Sequence, residues 1–400
     1  MVSAVLKGAD CRLRGISALD SYFGIAGLPF TFVETSADIQ TLARFFSALR
    51  FPGPEVADCA VPASPAADSG IAPGDETAGG NRDWYFFCID PDTDRPGFSG
   101  AAGSFEILDF FLDLKTGHFL DPFGVYPLLR QMRQPGPVDD DGAFWRRRDF
   151  SAERNRFLLD AALIFSRYDV FSPSPGGESR PARDSPESRV FAEICAAAET
   201  LHAAPPCAEL QRIMLTAILL SERPGRGLEL LKASGFIETY WNELALLDGA
   251  EHSKDFHPEG NAWKHTLETF RYRKTSDLIL SLGLLLHDIG KPLAASSGRN
   301  RFDGHAELGA VTARRFLERL EFPPEPVNDI CYLVKNHMLP AAIPRLPLSR
   351  TESIMSSRLF PVLLELYRCD ESSSFKGLDQ YYKSSAVYRR FLRKRKNPYR

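Results

Sequence analysis

A run of nine almost wholly apolar residues, Leu278-Ile-Leu-Ser-Leu-Gly-Leu-Leu-Leu286, ends directly on His287 and Asp288. So apolar a segment is driven out of water, and Thr275-Ser-Asp277 ahead of it supplies a helix N-cap, with Gly290 and Pro292 behind as stop signals. The chain must therefore build a buried helix that delivers an imidazole and a carboxylate into a core. Polar groups placed there need partners, because an unpaired buried polar group costs several kcal/mol, about 2 to 7.

The surrounding sequence gathers partners of one kind. Six of the eight histidines, His252, His257, His265, His287, His305 and His337, fall within one stretch. Lys264 to Phe270 reads as an amphipathic helix carrying His265, and His305 opens a helix running to Leu320. His337 ends a helix that starts at Val327, and Asp370 ends another that starts at Phe360. A divalent cation satisfies imidazole and carboxylate together. A set of nitrogen and oxygen donors without thiolate favours Mn, Fe, Ni, Co or Mg over a structural zinc. A lone buried histidine is ordinarily a hydrogen-bonded core residue; the ordered set is what points to metal.

Elsewhere the grammar differs. Trp84 to Ile89 and Phe105 to Leu114 are aromatic and β-branched runs, with a turn at Lys115-Thr-Gly117, and read as strands. From Ala152 onward, Phe157 to Phe165, Val190 to Ala198 and Leu210 to Leu220 carry helical spacing. Two stretches, 51–81 and 172–188, are crowded with Pro, Gly, Ser and Asp and read as a flexible insertion and a loop. The expected class is α+β: a small mixed head over 1–150, an all-α neck over 151–248, an all-α domain over 249–375 and a basic tail over 376–400.

The net charge of −4 and pI near 6.1 give no global field for nucleic acid, so binding would need a local patch. The tail supplies one: nine Lys and Arg against the single acid Asp379, interleaved with Tyr381, Tyr382, Tyr388, Phe391 and Tyr399. That is an RNA-binding pattern or a solvated helix end. Seven scattered cysteines without a Cys-x-x-Cys pair suggest reduced thiols and a cytoplasmic protein. The start lacks a signal-like apolar core, and the longest apolar run is shorter than the roughly 20 residues a membrane span needs; no membrane partner is expected.

The order of a first His, a His-Asp doublet followed by Ile-Gly-Lys, and a distal Asp resembles the HD superfamily of metal-dependent phosphohydrolases. The resemblance implies His265, His287, Asp288 and Asp370 as metal ligands, and His305 and His337 as further histidines for a second cation or a phosphate. It also implies a catalytic role for Asp288. Lys291, just beyond the doublet, either neutralises a phosphate oxygen or stands as a solvated cation at a helix C-terminus.

A second resemblance extends over most of the chain. His257-Pro-Glu-Gly260, the Arg223 to Tyr240 segment and Asp121-Pro-Phe-Gly124 are similar to segments of bacterial tRNA nucleotidyltransferases and poly(A) polymerases. It implies a nucleotidyltransferase-like head, whose phosphate-cradling glycine loop falls at Gly15-Ile-Ser-Ala-Leu-Asp20 and whose two magnesium-holding aspartates fall on Phe30 and Phe32. A benzyl group offers no lone pair to a hard cation. The family's Arg-Arg-Asp falls on Ala102-Gly-Ser104, and of its nucleotide-reading motif only Arg156 is retained. Asp90-Pro-Asp92-Thr-Asp94 is a weak source of displaced ligands.

These resemblances lead to the expectation of an HD-type phosphohydrolase acting on a phosphoester of RNA, tRNA included, or of a nucleotide, with a head inactive in transfer. The rivals are an active tRNA CCA nucleotidyltransferase or poly(A) polymerase, and a non-catalytic RNA-binding or regulatory protein.

Overall fold

The alternation of apolar residues along Phe30-Thr-Phe-Val-Glu-Thr35 gives the strand around which the head is organised. In the computed structural model, which describes residues 7–53, 56–63, 82–89, 105–132, 154–168, 191–196, 205–251, 260–296, 302–375 and 377–396, this is β2, buried along its whole length. The other strands are β1 (Cys11–Arg14), β3 (Cys59–Val61), β4 (Asp83–Cys88), β5 (Phe111–Asp113) and β6 (Phe119–Leu120). They form one sheet in the order β3-β4-β2-β1-β5-β6. β2 and β4 run parallel, pairing Phe32 with Tyr85, and every other neighbouring pair is antiparallel.

Successive side chains on a strand leave by opposite faces. Val33 therefore joins Cys11, Leu42, Phe46, Cys59 and Phe86 in the core on one side, while Phe30, Phe32 and Glu34 share the other. Helix α1 (Ile16–Phe23) follows β1 through Gly15, whose φ of +57° suits a residue without Cβ. Helices α2 (Ile39–Phe45) and α3 (Tyr126–Gln131) complete the head elements. Asp121 accepts hydrogen bonds from the backbone N–H groups of Val125 and Tyr126, which fixes the turn before α3.

The helices that follow are α4 (Arg154–Arg167), α5 (Ala208–Leu219), α6 (Pro224–Ala233), α7 (Phe236–Tyr240), α8 (Asn242–Ala245), α9 (Ala262–Thr269), α10 (Leu278–Leu286) and α11 (Lys291–Ser296). Then come α12 (His305–Arg319), α13 (Pro324–Asn336), α14 (Leu339–Ala342), α15 (Leu348–Met355), α16 (Phe360–Ser372) and α17 (Asp379–Lys396). The architecture is α+β, a six-stranded mixed sheet followed by helices. Contacts divide the chain into two compact units, 1–161 with 168–211, and 162–167 with 212–400.

Three local expectations change. The stretch 51–81, read as a flexible insertion, contains β3, with Cys59 and Ala60 fully buried against β4; three residues are too few for a periodic signal. Phe105 to Leu114, read as one strand, begins as a 3-10 turn at Glu106–Leu108 and becomes strand only at Phe111. Pro292 does not merely stop α10: it stands in the first turn of α11, where its missing N–H costs nothing. Asp90 to Asp94, Ala102 to Ser104, His252, His257 and the segment 172–188 lie outside the described residues.

Candidate metal centre

Asp277 caps α10 by accepting from the Leu280 N–H at 2.8 Å, and the helix is buried from Leu280 to Leu286. By length and composition Leu278–Ala295 passes as a membrane span, yet 67% of it is buried inside the protein, so it is a core segment. It packs against α13 and α16 and releases His287 and Asp288 into their midst. Asn261 caps α9, accepting from the Lys264 N–H, and fixes the helix that carries His265.

All six residues carried over by resemblance come together. Asp288 is the hub: its Oδ2 lies 3.3 Å from His287 Nε2 and 4.0 Å from His265 Nε2. Its Oδ1 lies 3.7 Å from His305 Nε2 and 3.9 Å from His337 Nε2. Asp370 Oδ1 is 2.9 Å from His265 Nε2. The donors form two triads, His265-His287-Asp288 and Asp288-His305-His337, each with its ligand atoms within 4.8 Å of one another. The carboxylate they share has one oxygen turned to each side.

Three histidines are aimed in the same way. His287, His305 and His337 each donate Nδ1–H to the carbonyl three residues earlier, Leu284, Phe302 and Val334, at 2.8, 2.8 and 2.7 Å. That bond sets the tautomer and leaves the Nε2 lone pair pointing inward, as metal-ligating histidines require. His287 Nε2 is buried and makes no hydrogen bond, and His305 Nε2 and His337 Nε2 face each other at 3.1 Å. An orphaned imidazole nitrogen, facing nitrogens and a shared carboxylate are the donor set a divalent cation satisfies, so these residues fit one.

The electrostatics agree with that reading. Burial pushes the Asp288 carboxyl up, but His287 and Lys291 outweigh it and hold it well below the usual range. Asp370 is likewise pulled down against its burial, chiefly by its hydrogen bond to His265. Burial, with His287 beside it, pushes His337 down to about 4, and burial lowers His305. Carboxylates kept ionised beside imidazoles kept neutral are the protonation states of metal ligands. Lys291 is no solvated helix-end cation: its Nζ lies 2.6 Å from Asp288 Oδ2 and 5.4 Å from the centre of the Phe302 ring.

Sequence reasoning missed the supports. Phe302 holds a φ of +68°, unusual for a bulky residue, and its carbonyl accepts from both N–H and Nδ1–H of His305. Ser373 Oγ lies 3.3 Å from His265 Nδ1.

In the head, Phe30 and Phe32 stand with ring centroids 5.6 Å apart, and Phe32 lies 5.5 Å from Tyr85 and 6.0 Å from Phe87. They are core, and these two positions do not fit a divalent ion. Glu34, next on that face, is fully buried between Arg12 Nε at 2.6 Å and Arg14 Nη1 at 3.6 Å. Burial lowers Arg14 to about 10, with Glu34 opposing. Arg156 Nε lies 3.5 Å from Asp160 Oδ2.

Residues 262–365 match the family model described as HD domain. A CC-adding tRNA nucleotidyltransferase of Thermus thermophilus is 40% identical over 141 residues, 33% of this chain and 32% of that protein. The A-adding tRNA nucleotidyltransferase of Deinococcus radiodurans is 36% identical over 142 residues, 34% and 32% of the two chains. The helical body is thus similar to the HD domain family over residues 262–365, and about a third of the chain is similar to tRNA nucleotidyltransferases. The match spans about a third of the length of these curated relatives. The Bacillus stearothermophilus CCA-adding enzyme in complex with CTP aligns over 98% of this chain and 80% of its own, at 14% identity and a TM-score of 0.47.

These relatives overturn one expectation. The phosphohydrolase with a transfer-inactive head was the main reading of the sequence, yet the matched proteins are named for nucleotide addition, multifunctional CCA proteins among them. The rival reading, an active nucleotidyltransferase, is the one they back. A metal-ligand cluster reports a cation and not which phosphoryl reaction a chain performs.

Proposed function

We propose that the chain is an RNA-processing enzyme that adds nucleotides to the 3′ end of tRNA. The observation that carries the reading is the 40% identity to a CC-adding tRNA nucleotidyltransferase. Its substrates in this reading are tRNA and the nucleoside triphosphates CTP and ATP.

The HD domain would hold one or two divalent cations from the set Mn, Ni, Co, Fe and Mg, through His265, His287, Asp288, His305, His337 and Asp370. A cation held there would supply Lewis-acid polarisation of a phosphoryl oxygen. The protein's own contribution is orientation: the Leu284, Phe302 and Val334 carbonyls fix three imidazoles, and Lys291 keeps a positive charge against Asp288.

Transfer is tested with tRNA lacking its terminal CCA, labelled CTP or ATP, and Mg or Mn. Incorporation of label at the 3′ end supports the proposal. Failure to incorporate either nucleotide with either metal refutes it. Because Phe30 and Phe32 give an ion nothing to bind, this assay puts its hardest question to the head.

A further inference from the structure

The last helix, α17, divides by face. Gln380 Nε2 donates to the Ala341 carbonyl at 2.8 Å and Ser384 Oγ to the Pro340 carbonyl at 2.7 Å. Tyr388 packs on Phe360 with ring centroids 4.6 Å apart, and Phe391 is buried. These four residues seat one side of the helix on the second unit. At about 100° per residue, Lys383, Arg389, Arg390, Arg393 and Lys394 all fall on the other side, within roughly 140° of arc. All five are exposed, and Tyr382 shares the face at 57% exposure. From Lys383 to Lys394 the stripe runs about 16 Å.

Elsewhere in this unit exposed arginines are commonly answered by carboxylates: Arg271 by Glu268, Arg314 by Glu318, Arg319 by Glu243, Arg358 by Glu325 and Asp329. None of the five cations on α17 has a carboxylate partner among the described residues. Cations at a helix C-terminus favour the dipole, but that effect is confined to the last turn, and Lys383 stands near the start of the helix. Five like charges along one face repel one another, and a polyanion relieves the repulsion.

We infer that the exposed face of α17 is a docking surface for the phosphate backbone of RNA. The class of partner rests on the RNA-processing reading above; the surface does not. The face lacks the Trp, Phe or Leu anchors an interfacial membrane helix needs. Its exposed tyrosine matches the stacking platforms that single-stranded or looped RNA uses. Contacts of this kind position an RNA without reading its sequence.

The test is binding of a tRNA transcript lacking CCA to full-length protein between 50 and 200 mM salt. The stripe variant is Lys383→Gln/Arg390→Gln/Lys394→Gln. The control is Arg271→Gln/Arg314→Gln/Arg358→Gln, which removes the same charge from ion-paired positions. The stripe variant should bind about 10- to 100-fold more weakly and lose roughly 2 units of the log–log salt slope, with the control within about twofold of the parent. Melting curves confirm that both variants fold.

Equal losses in the two variants, or parental binding by the stripe variant, overturn the inference. So does loss of polyglutamate binding with RNA binding kept, which makes the face a site for an acidic protein. The transfer assay run in parallel separates the two proposals. Label incorporation with the stripe variant binding normally sinks this inference alone. Stripe-dependent RNA binding without incorporation sinks the transfer reading and sustains this one.

Discussion

Gly290→Ala is the smallest change that should disable the metal centre without touching a ligand. A Cβ at Gly290 would lie 2.1 Å from the His305 carbonyl oxygen, 2.4 Å from Gly309 N and 2.8 Å from Gly309 Cα. All three obstacles are backbone, so no rotamer change can make room. The start of α12 has to retreat from the His287-Asp288 turn by about 1 Å before the contact becomes even a tight van der Waals one. Overpacking of this kind costs about 3 kcal/mol. His305 moves with the strand of backbone that retreats, and its Nε2 leaves the Asp288 oxygen now 3.7 Å away. Metal sites tolerate about 0.2 Å, so Mn binding should weaken about 10- to 100-fold, as when supporting groups are lost. Gly309→Ala is the calibrating variant: its Cβ meets the Val334 side chain at 3.1 Å and Gly290 N at 3.3 Å, and should cost about 1 kcal/mol. Urea unfolding with and without Mn, beside titration calorimetry of Mn, measures both effects. A Gly290→Ala protein as stable as the parent and binding Mn as tightly refutes the claim that this glycine contact sets the site.

Glu321 stands just past α12 at a φ of +55°, and the Phe322 N–H closes back on the Leu317 carbonyl at 3.0 Å. Glu321→Gly should therefore stabilise by about 1 kcal/mol in thermal unfolding, and a lower melting temperature would count against the strain. In metal-free protein the His337 value of about 4 lies below an unfolded value of about 6.5. The unfolded chain takes up its proton first, so stability is full above pH 6.5 and falls by about 3 kcal/mol as pH drops toward 4; a His337→Gln protein should lose most of that slope in denaturant titrations at the two pH values. Phe30→Asp/Phe32→Asp buries two carboxylates among Tyr85 and Phe87 and should cost about 3 kcal/mol or more without a cation. Millimolar Mg should raise the melting temperature of that variant by more than that of the parent, since the HD centre takes up the ion in both, and an equal rise in the two would show that the added carboxylates hold no ion.

The helical body was legible because its signals are local. Asp277 and Asn261 each cap the helix that starts beside them, and the leucine run buries itself wherever the chain goes. The sheet was legible where a strand carries a sustained apolar or aromatic run, as in β2 and β4. β3 is held by pairing with β4, Cys59 opposite Phe86 27 positions further on, and no residue within it announces that partner. The 3-10 turn at Glu106 to Leu108 failed for the opposite reason: its apolar residues suit a strand, and burial of Ile107 and Leu108 satisfies them in either conformation.

The metal centre shows what kind of information a sequence withholds. Which residues gather was readable, because His and Asp at helix ends are distinctive and few. Ligand orientation was not, because it depends on carbonyls that every residue possesses: nothing in the letters marks Leu284, Val334 or Phe302 as the acceptors that turn three imidazoles inward. Nor did the letters show that Asp288 is shared between two triads, a property of four helices meeting and of none alone. The head presents the converse case. There the residue types at Phe30 and Phe32 were readable and spoke against an ion at those positions, and the packing agrees. The step from two positions to the reaction of the whole chain was the one that failed: the packing of Phe30 and Phe32 speaks for those two positions alone, and the relatives named for nucleotide addition speak against extending it.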